Sequence, residues 1–287
     1  MVDITSIGDV NIDLLILGKV FSKDAKNEQE FVNNIIIKVG GGAANFSIWA
    51  SKLKMKVRLI GCLGKDIFSN FIINELKRFG IETKIAIENT NTGITLAYEL
   101  ENGRKQLLTY RGSNTLFSIK HIPLNLLEGE VLYLSGYNLL DNLRKDFITL
   151  ANRAKEKGMI VCLDPDIKAN INFNKEEFFE LVKKVDVLFM NEEECKKISK
   201  NLDWFKNRTI VIKRGSKGAF AIENGERVEV EGVKIEKVLN TTGAGDVFNA
   251  SFLHHYYFGY DLRECLEFAN EQAAEYIKEI NLIGTKS

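Results

Sequence analysis

The feature that most constrains the fold is a regular alternation of short apolar runs with amphipathic helical stretches. The runs are nearly continuous in apolar residues, which is typical of strands in a parallel sheet that is covered on both faces. Several helical stretches end at glycines such as Gly80 and Gly158, a common residue just after a helix. Short connections between strands and helices imply right-handed crossovers. The pattern therefore predicts an α/β fold with a doubly wound, mostly parallel sheet flanked by helices. The predicted strands are 4–10, 57–63, 131–136, 159–164, 187–191 and 209–213, and the predicted helices are 43–53, 66–80, 143–158 and 175–185.

Two segments, 12–39 and 92–111, interrupt the alternation with extended runs that have no helix between them. The second segment holds two alternating runs around Asn102-Gly103, a strong hairpin signal. We therefore predict that both segments form a small antiparallel β lid inserted in a single domain spanning 1–287. A lid would exclude water from a reaction site in the body of the fold. A β-edge insertion with no part in closure explains the same pattern.

Composition and charge exclude several classes of function. The 39 Lys and Arg residues balance the 39 Asp and Glu residues, so no net positive field favours nucleic acid. The four cysteines form no CxxC pair, and the three histidines supply no ligand set for a structural metal. No apolar run approaches the roughly 18 residues of a membrane span, and the N-terminus does not resemble a signal peptide. We expect a cytoplasmic protein without a nucleic-acid or membrane partner.

The most informative motif is NTTGAGD, residues 240–246, which leads into a helical stretch. A Gly-Ala-Gly turn at a helix start leaves backbone N–H groups unpaired beside the positive end of the helix dipole, so it can hold an oxyanion or a phosphoryl group. A carboxylate there opposes simple phosphate binding, but it suits a base that accepts a proton from an attacking hydroxyl. Alternatively, Asp246 only stabilises the first helical turn. The sequence contains no Walker A motif, no GxGxxG and no protein-kinase HRD or DFG motif.

A second glycine-rich stretch, GGGAAN at residues 40–45, lies between a predicted strand and a predicted helix. Its glycines permit close approach of a polar ligand, and Asn45 offers an amide. A tight turn with an asparagine in the first helical turn is the alternative. Asp9, Asn11 and Asp13 share one face of an extended run, and Asp13 lies at the edge where open α/β sheets bind ligands. Carboxylate and amide groups together are suited to binding vicinal hydroxyls.

Taken together, GDVNID (8–13), GGAAN (41–45), NEEE (191–194) and TTGAGD (241–246) resemble the signatures of the ribokinase (PfkB) family of carbohydrate kinases. The likeness spans nearly the whole chain, including the predicted lid strands. It implies a ribokinase-like fold and a phosphotransferase that moves the γ-phosphoryl group of ATP to a hydroxyl of a sugar or sugar-like substrate. The implied cofactors are ATP and Mg²⁺.

The resemblance also implies roles for individual residues. Asp246 resembles the family's general base, and Gly243, Ala244 and Gly245 resemble its anion hole. The sugar-binding positions are Asp13, Gly41, Gly42 and Asn45. The nucleotide-binding positions are Asn191, Lys213, Gly215, Gly218, Asn270 and Gly284, the last in a C-terminal glycine loop. With Asn191, Glu194 forms an NxxE motif that acts on Mg²⁺ largely through water, although a capped acidic helix start gives the same pattern.

One departure from the family pattern concerns a cation. Asn240 stands where the family motif usually has Asp, and in K⁺-activated members that acid helps to hold the monovalent cation. A neutral amide weakens such a site, so K⁺ is not among the expected cofactors.

The substrate is less constrained than the reaction. Arg111 at the end of the lid hairpin resembles part of a Tyr-Arg pair that some fructokinases and 2-keto-3-deoxygluconate kinases direct at the substrate. Together with Lys168 it would favour a carboxylate or phosphate on the substrate, unless it is a solvated lid charge. A nucleoside kinase of the same fold is the alternative function, and the candidate residues for stacking against its base are Phe21, Phe31 and Tyr98. The third possible function is a non-catalytic sensor that binds a sugar or a nucleotide. Lid sheets in this family often pair across a dimer, so a homodimer through the lid is a further hypothesis.

Overall fold

The computed structural model describes residues 2–19, 31–100, 105–167, 174–198, 208–236, 238 and 240–285. The strands are β1 Ile4–Ile7, β2 Asn11–Lys19, β3 Asn34–Gly40, β4 Val57–Gly64, β5 Glu82–Glu88, β6 Gly93–Glu99, β7 Lys105–Tyr110, β8 Val131–Ser135, β9 Ile160–Asp164, β10 Val187–Asn191, β11 Thr209–Lys213, β12 Ala219–Glu223 and β13 Glu226–Val230. The α-helices are α1 Gly42–Lys52, α2 Ile67–Arg78, α3 Phe147–Glu156, α4 Lys175–Val182, α5 Glu192–Ile198, α6 Ala244–Tyr257 and α7 Leu262–Thr285. Among these helices, none is both long enough and apolar enough to cross a membrane.

The main sheet has nine strands in the order β13-β12-β11-β10-β9-β8-β1-β4-β5. All pairings from β11 to β5 are parallel, and β12 and β13 pair antiparallel at one edge. The edge hairpin turns at Asn224 and Gly225, which both have positive φ (51° and 85°). The doubly wound, mostly parallel sheet predicted from the alternation is confirmed.

Apolar residues cover both faces of this sheet because successive side chains on a strand point to opposite faces. On β8, Leu132 and Leu134 join a cluster with residues of α3 and α4, whereas Val131 and Tyr133 join a cluster with α1, α6 and α7. Because both faces are covered, the sequences of these strands are nearly continuous runs of apolar residues.

The lid is a separate sheet of four strands in the order β3-β2-β6-β7. The two pairings within the predicted segments, β2 with β3 and β6 with β7, are antiparallel as expected. The pairing that joins the segments, β2 with β6, is parallel, so the sheet is mixed rather than wholly antiparallel. The reason is that β2 follows β1 and β6 follows β5, and both segments leave the same edge of a parallel sheet in the same direction. The predicted Asn102-Gly103 turn lies outside the described residues.

Candidate active site

Two glycine turns lie side by side at the carboxyl edge of the main sheet. The N-terminal glycine turn (residues 40–42) begins α1, and the C-terminal glycine turn (residues 241–245) begins α6. The side-chain amide of Asn45 on α1 donates to Oδ2 of Asp246 on α6 at 3.0 Å. A Cβ added to Gly42 would lie 3.5 Å from Oδ1 of Asp246. Two motifs about 200 residues apart in sequence thus form one site.

Asp246 is a carboxyl group in an unfavourable environment for negative charge. Burial, and then the negative charge of Asp164, raise its pKa to about 8, while Lys213 and the hydrogen bond from Asn45 act in the opposite direction. A base with a pKa near the working pH accepts a proton and later releases it readily.

Lys213, at the end of β11, is a cation close to the C-terminal glycine turn. Its ammonium lies 2.8 Å from Oδ2 of Asp164, and that oxygen also accepts a hydrogen bond from the amide of Asn249 at 2.5 Å. Burial alone would lower the pKa of Lys213, but Asp164 and Glu194 outweigh it and the pKa is raised, so the ammonium stays charged. A Cβ on Gly245 would lie 3.5 Å from this ammonium. Lys213 therefore adds positive charge beside the C-terminal glycine turn.

Some backbone N–H groups of the C-terminal glycine turn donate hydrogen bonds within the protein, whereas others do not. The N–H of Ala244 donates to the carbonyl of Thr241 at 3.0 Å, and the N–H of Asp246 donates to the carbonyl of Gly243 at 3.1 Å. Within the described ranges, the N–H groups of Gly243 and Gly245 have no protein acceptor. These two amides are the donors left for an anion. Asn240, the departure from the family motif, accepts a hydrogen bond from the N–H of Thr242 at 2.7 Å and so fixes the start of the turn.

Glu194 is buried, and both of its oxygens accept backbone hydrogen bonds. Oε1 accepts from the N–H of Ile167 at 2.9 Å and Oε2 from the N–H of Asn191 at 2.8 Å. The side chain of Asn191 accepts in turn from the N–H of Glu194 at 2.9 Å, so the pair caps α5. Burial and the charge of Asp164 raise the pKa of Glu194 to about 7. Among the described residues, no cluster of three or more His, Cys, Asp or Glu could hold a metal ion.

Asp13 carries a buried carboxylate oxygen that accepts no hydrogen bond from the described residues. The side chain packs against Gly40, and Oδ2 has no hydrogen bond within the described part of the chain. Burial raises the pKa of Asp13, whereas the ammonium of Lys38, 3.9 Å away, lowers it. A buried acceptor of this kind is normally paired, and a substrate hydroxyl would pair it. The neighbouring Asp9 instead supports the backbone, because it accepts from the N–H of Gly42 at 3.0 Å.

A cavity of about 730 Å³ opens beside the C-terminal glycine turn. Its volume is within the usual range for small-molecule sites. Six of its lining residues were predicted from the sequence, namely Lys213, Gly215, Gly218, Ala244, Gly245 and Asn270. The remaining lining residues are Ser216, Gly232, Val233, Lys234, Ile235, Glu236, Val238, Thr241, Phe248, Ala273, Ala274 and Ile277. The members on α7 recur at spacings of three and four residues after Asn270, a helical-face signal that could have identified them.

Other predicted residues lie elsewhere. Arg111 pairs with Asp141 at 2.8 Å and donates to the carbonyl of Leu139 at 3.3 Å. Gly284 lies in the last turn of α7 rather than in the expected loop, because the helix continues to Thr285. Asn191 and Glu194 lie outside the described lining of the cavity.

Of the aromatic residues considered as platforms for a base, Phe31 is 84% exposed. The hydroxyl of Tyr98 donates to Gln106 across the lid at 3.0 Å. Neither the exposure of Phe31 nor the hydrogen bond of Tyr98 indicates that the ring stacks against a base. Phe21 and Lys168 lie outside the described residues.

Known proteins resemble this chain along its whole length. The family model described as "pfkB family carbohydrate kinase" matches residues 1–286. The ribokinase of Schizosaccharomyces pombe is 25% identical over 296 residues, covering 96% of this chain and 91% of that protein. A nucleoside kinase of Methanocaldococcus jannaschii is 28% identical over 244 residues, covering 79% and 74%.

Solved structures show the same fold. The crystal structure of the M. jannaschii nucleoside kinase has a TM-score of 0.81 at 23% identity, with 97% of this chain and 92% of that chain covered. A ribokinase from Thermotoga maritima gives 0.78 at 25% identity, with 96% and 93% covered. With the family match spanning nearly every residue and the two signature turns meeting at one site, this chain belongs to the pfkB family of carbohydrate kinases.

Proposed function

We propose that this enzyme transfers the γ-phosphoryl group of ATP to a hydroxyl of a sugar or sugar-like substrate, with Asp246 as the general base. The observation that carries the proposal is the position of Asp246. Its carboxyl group accepts a hydrogen bond from the side-chain amide of Asn45 and lies beside Gly42 of the N-terminal glycine turn, and its backbone directly follows the C-terminal glycine turn. It can therefore contact both the entering hydroxyl and the migrating phosphoryl group.

The reaction assigns a separate task to each side of the site. Asp13 and Asn45 would hold substrate hydroxyls, and the amides of Gly243 and Gly245 with Lys213 would hold the phosphoryl oxygens. As the substrate oxygen forms its bond to phosphorus, the bond to the β-phosphate oxygen breaks and Asp246 takes the hydroxyl proton. The transition state of such transfers is loose, so orientation and charge neutralisation account for most of the rate.

We propose that the cavity beside Lys213 holds the nucleotide and that Mg²⁺ accompanies its phosphates. Mg²⁺ usually keeps several waters and binds through one or two carboxylates plus substrate phosphates. Glu194 and Asn191 fit that pattern through water, because the Glu194 oxygens already accept backbone hydrogen bonds. When bound, the ion would neutralise charge on the phosphates.

The substrate class we propose is a neutral sugar or polyol. Relatives are named ribokinase, 5-dehydro-2-deoxygluconokinase, nucleoside kinase and cytidine kinase. Arg111, the candidate for binding an anionic substrate, already forms an ion pair with Asp141 and a hydrogen bond to the carbonyl of Leu139. A nucleoside is the second candidate, supported by the relatives named nucleoside and cytidine kinase.

The test is a coupled ADP-release assay over a panel of sugars, sugar acids, inositols and nucleosides. We expect one substrate class to be phosphorylated, and Asp246→Asn to lower the rate by about 10²-fold or more while substrate still binds. Glu156→Gln, which removes an exposed carboxylate on α3, is the matched control and should match wild type. A protein that binds a member of the panel but releases no ADP would be a sensor. Single-turnover rates of Asp246→Asn near wild type would refute the role of the base.

We further propose a homodimer that pairs through the lid, in the cytoplasm, where the proposed donor ATP is abundant. Ile35 and Ile37 on β3 are exposed, whereas Ile36 between them packs towards Leu15. The apolar side chains of Leu107 and Leu108 on β7 are also exposed. Apolar side chains on outer strands favour pairing with another copy.

A further inference from the structure

One cation on the lid contacts the C-terminal glycine turn directly. The ammonium of Lys38, on β3, donates to the hydroxyl of Tyr276 at 2.6 Å and to the carbonyl of Thr242 at 3.3 Å. The Tyr276 hydroxyl, on α7, donates in turn to the same carbonyl at 2.8 Å. Two donors from two separate elements thus converge on one carbonyl oxygen, that of Thr242.

That carbonyl shares a peptide plane with the N–H of Gly243. No described peptide bond is cis, and in a planar trans peptide the C=O and N–H point in opposite directions. Holding the Thr242 carbonyl from one side therefore turns the Gly243 amide to the other side. This amide is one of the two left without a protein acceptor in the described part of the turn. The direction of this N–H decides whether it can bind an anion. Gly243 has positive φ (90°), and glycine adopts positive and negative φ with similar ease. The glycine itself therefore does little to fix the direction of the N–H, and outside contacts must fix it.

Tyr276 is itself held rigidly. Its ring packs edge-on against Trp49 of α1 at 5.7 Å between centroids, and a Cβ on Gly243 would lie only 2.7 Å from its hydroxyl. One helical turn further along α7, Ile280 packs with Leu15 and Ala97 of the lid sheet. The helix that carries Tyr276 therefore contacts the lid and also lines the nucleotide cavity.

Lys38 also lies near the proposed substrate side, since its ammonium forms an ion pair at 3.9 Å with Oδ2 of Asp13, the oxygen without a hydrogen bond in the described part of the chain. The same ammonium thus touches a residue proposed to bind the acceptor and the turn proposed to bind the phosphoryl group.

We propose that Lys38 and Tyr276 are a positioning pair that orients the Thr242–Gly243 peptide, so that the Gly243 amide faces the transferred phosphoryl group. Through Lys38 this orientation depends on the lid strand β3 being in place. The pair does not touch the reacting atoms, and the inference rests on the proposed kinase activity.

The test compares Tyr276→Phe, which keeps the ring against Trp49, with Lys38→Met, which keeps a long side chain without charge. Loss of an oriented amide weakens binding of the transition state more than it weakens binding of the nucleotide. We expect kcat to fall about 10- to 100-fold with the nucleotide KM within about twofold of wild type. Affinity for ADP with aluminium fluoride and Mg²⁺, a mimic of the transferring phosphoryl group, should fall by a similar factor, while affinity for ADP alone stays unchanged. The double variant should lose little more than either single variant, because the two residues act as one unit.

Tyr256→Phe is the matched control, because it removes a tyrosine hydroxyl that pairs with Glu223 and Thr209 away from the site. It should retain wild-type kcat. If Tyr276→Phe does not fold, Lys38→Met alone carries the test. Wild-type kcat in both variants, or equal losses of affinity for ADP and for its aluminium fluoride complex, would overturn the positioning role. An inactive wild type, or a fully active Asp246→Asn, would instead overturn the kinase proposal.

Discussion

At the scale of residues, two carboxyl groups near Lys213 lie in surroundings that disfavour negative charge. Burial, and then the charge of Asp164, raise the pKa of both Asp246 and Glu194, whereas Lys213 lowers both. A raised pKa suits the proposed role of Asp246 as a proton acceptor. The arrangement makes activity dependent on pH in a defined direction.

We expect kcat/KM to rise with pH as Asp246 loses its proton, since only the carboxylate can act as base. The acidic limb of this profile should have an apparent pKa near the value of about 8 for Asp246. The measurement is the pH profile of kcat/KM with the best substrate. A profile that is flat between about pH 6 and about pH 9 would contradict this assignment.

Gly243 offers a second test at this scale, with Gly259 as its matched control. Both have positive φ (90° and 81°), but a Cβ on Gly243 would clash with Tyr276, whereas a Cβ on Gly259 would meet nothing within 4 Å. An alanine at either position should cost about 1–2 kcal/mol of stability from backbone strain. Gly243→Ala should in addition lower kcat by about tenfold or more, because the amide that we propose to bind the phosphoryl group is displaced. Urea unfolding and initial rates measure the two effects. Equal kcat in both variants would argue against a role for this turn.

At the scale of elements, periodicity predicted most of the main sheet because buried parallel strands have an unmistakable apolar signature. Strands 187–191 and 209–213 were predicted with the observed bounds, and β4 differs by one residue. The edge hairpin β12–β13 was not predicted, although its Asn224-Gly225 turn has the same signal as Asn102-Gly103. Its strands carry charged residues on an exposed face, which dilutes the apolar run. The C-terminal helix α7 was also missed, because its buried face is made largely of small residues such as Ala269 and Ala274.

The lid carries a prediction of its own. If copies pair through outer lid strands, light scattering should give the mass of two chains, and Leu108→Lys should shift it towards one chain by placing a charge in the interface. Phe258→Lys, which replaces an exposed aromatic residue beyond the end of α6, is the control and should leave the mass unchanged. A wild-type mass of one chain would exclude the lid dimer.

At the scale of the whole molecule, the motifs predicted the two glycine turns and their acids, but only part of the wall of the cavity beside Lys213. Segment 232–236 and Val238 line that cavity without regular secondary structure, so no periodicity reveals them. Lys38 and Tyr276 were missed for a different reason. Their roles depend on contacts between residues 238 positions apart, which no local pattern encodes.

Global stability should reflect the cost of the buried carboxyl group of Asp246. The pKa of this aspartate is ordinarily 3.8, and it is raised to about 8 in the folded protein. Between these two pH values the folded state binds more protons than the unfolded state, so the free energy of unfolding falls as the pH rises. Asp246→Asn removes the penalty, so it should be more stable than wild type, with a wider gap at about pH 8 than at about pH 5. Thermal melting of both proteins across this range is the measurement. A gap that stays constant or narrows with rising pH would contradict the raised pKa.

The long helix α7 has a consequence for the order in which the enzyme is completed during translation. Every strand of both sheets and both signature turns precede it in the chain, yet Tyr276 and Ile280 come from this helix. A ribosome that has finished Asp246 has made the proposed base and the turn, but not the hydroxyl that reaches Thr242. Nascent chains at that stage would carry both signature turns without the tyrosine that holds the Thr242 carbonyl, so the proposed phosphoryl transfer would await the synthesis of α7.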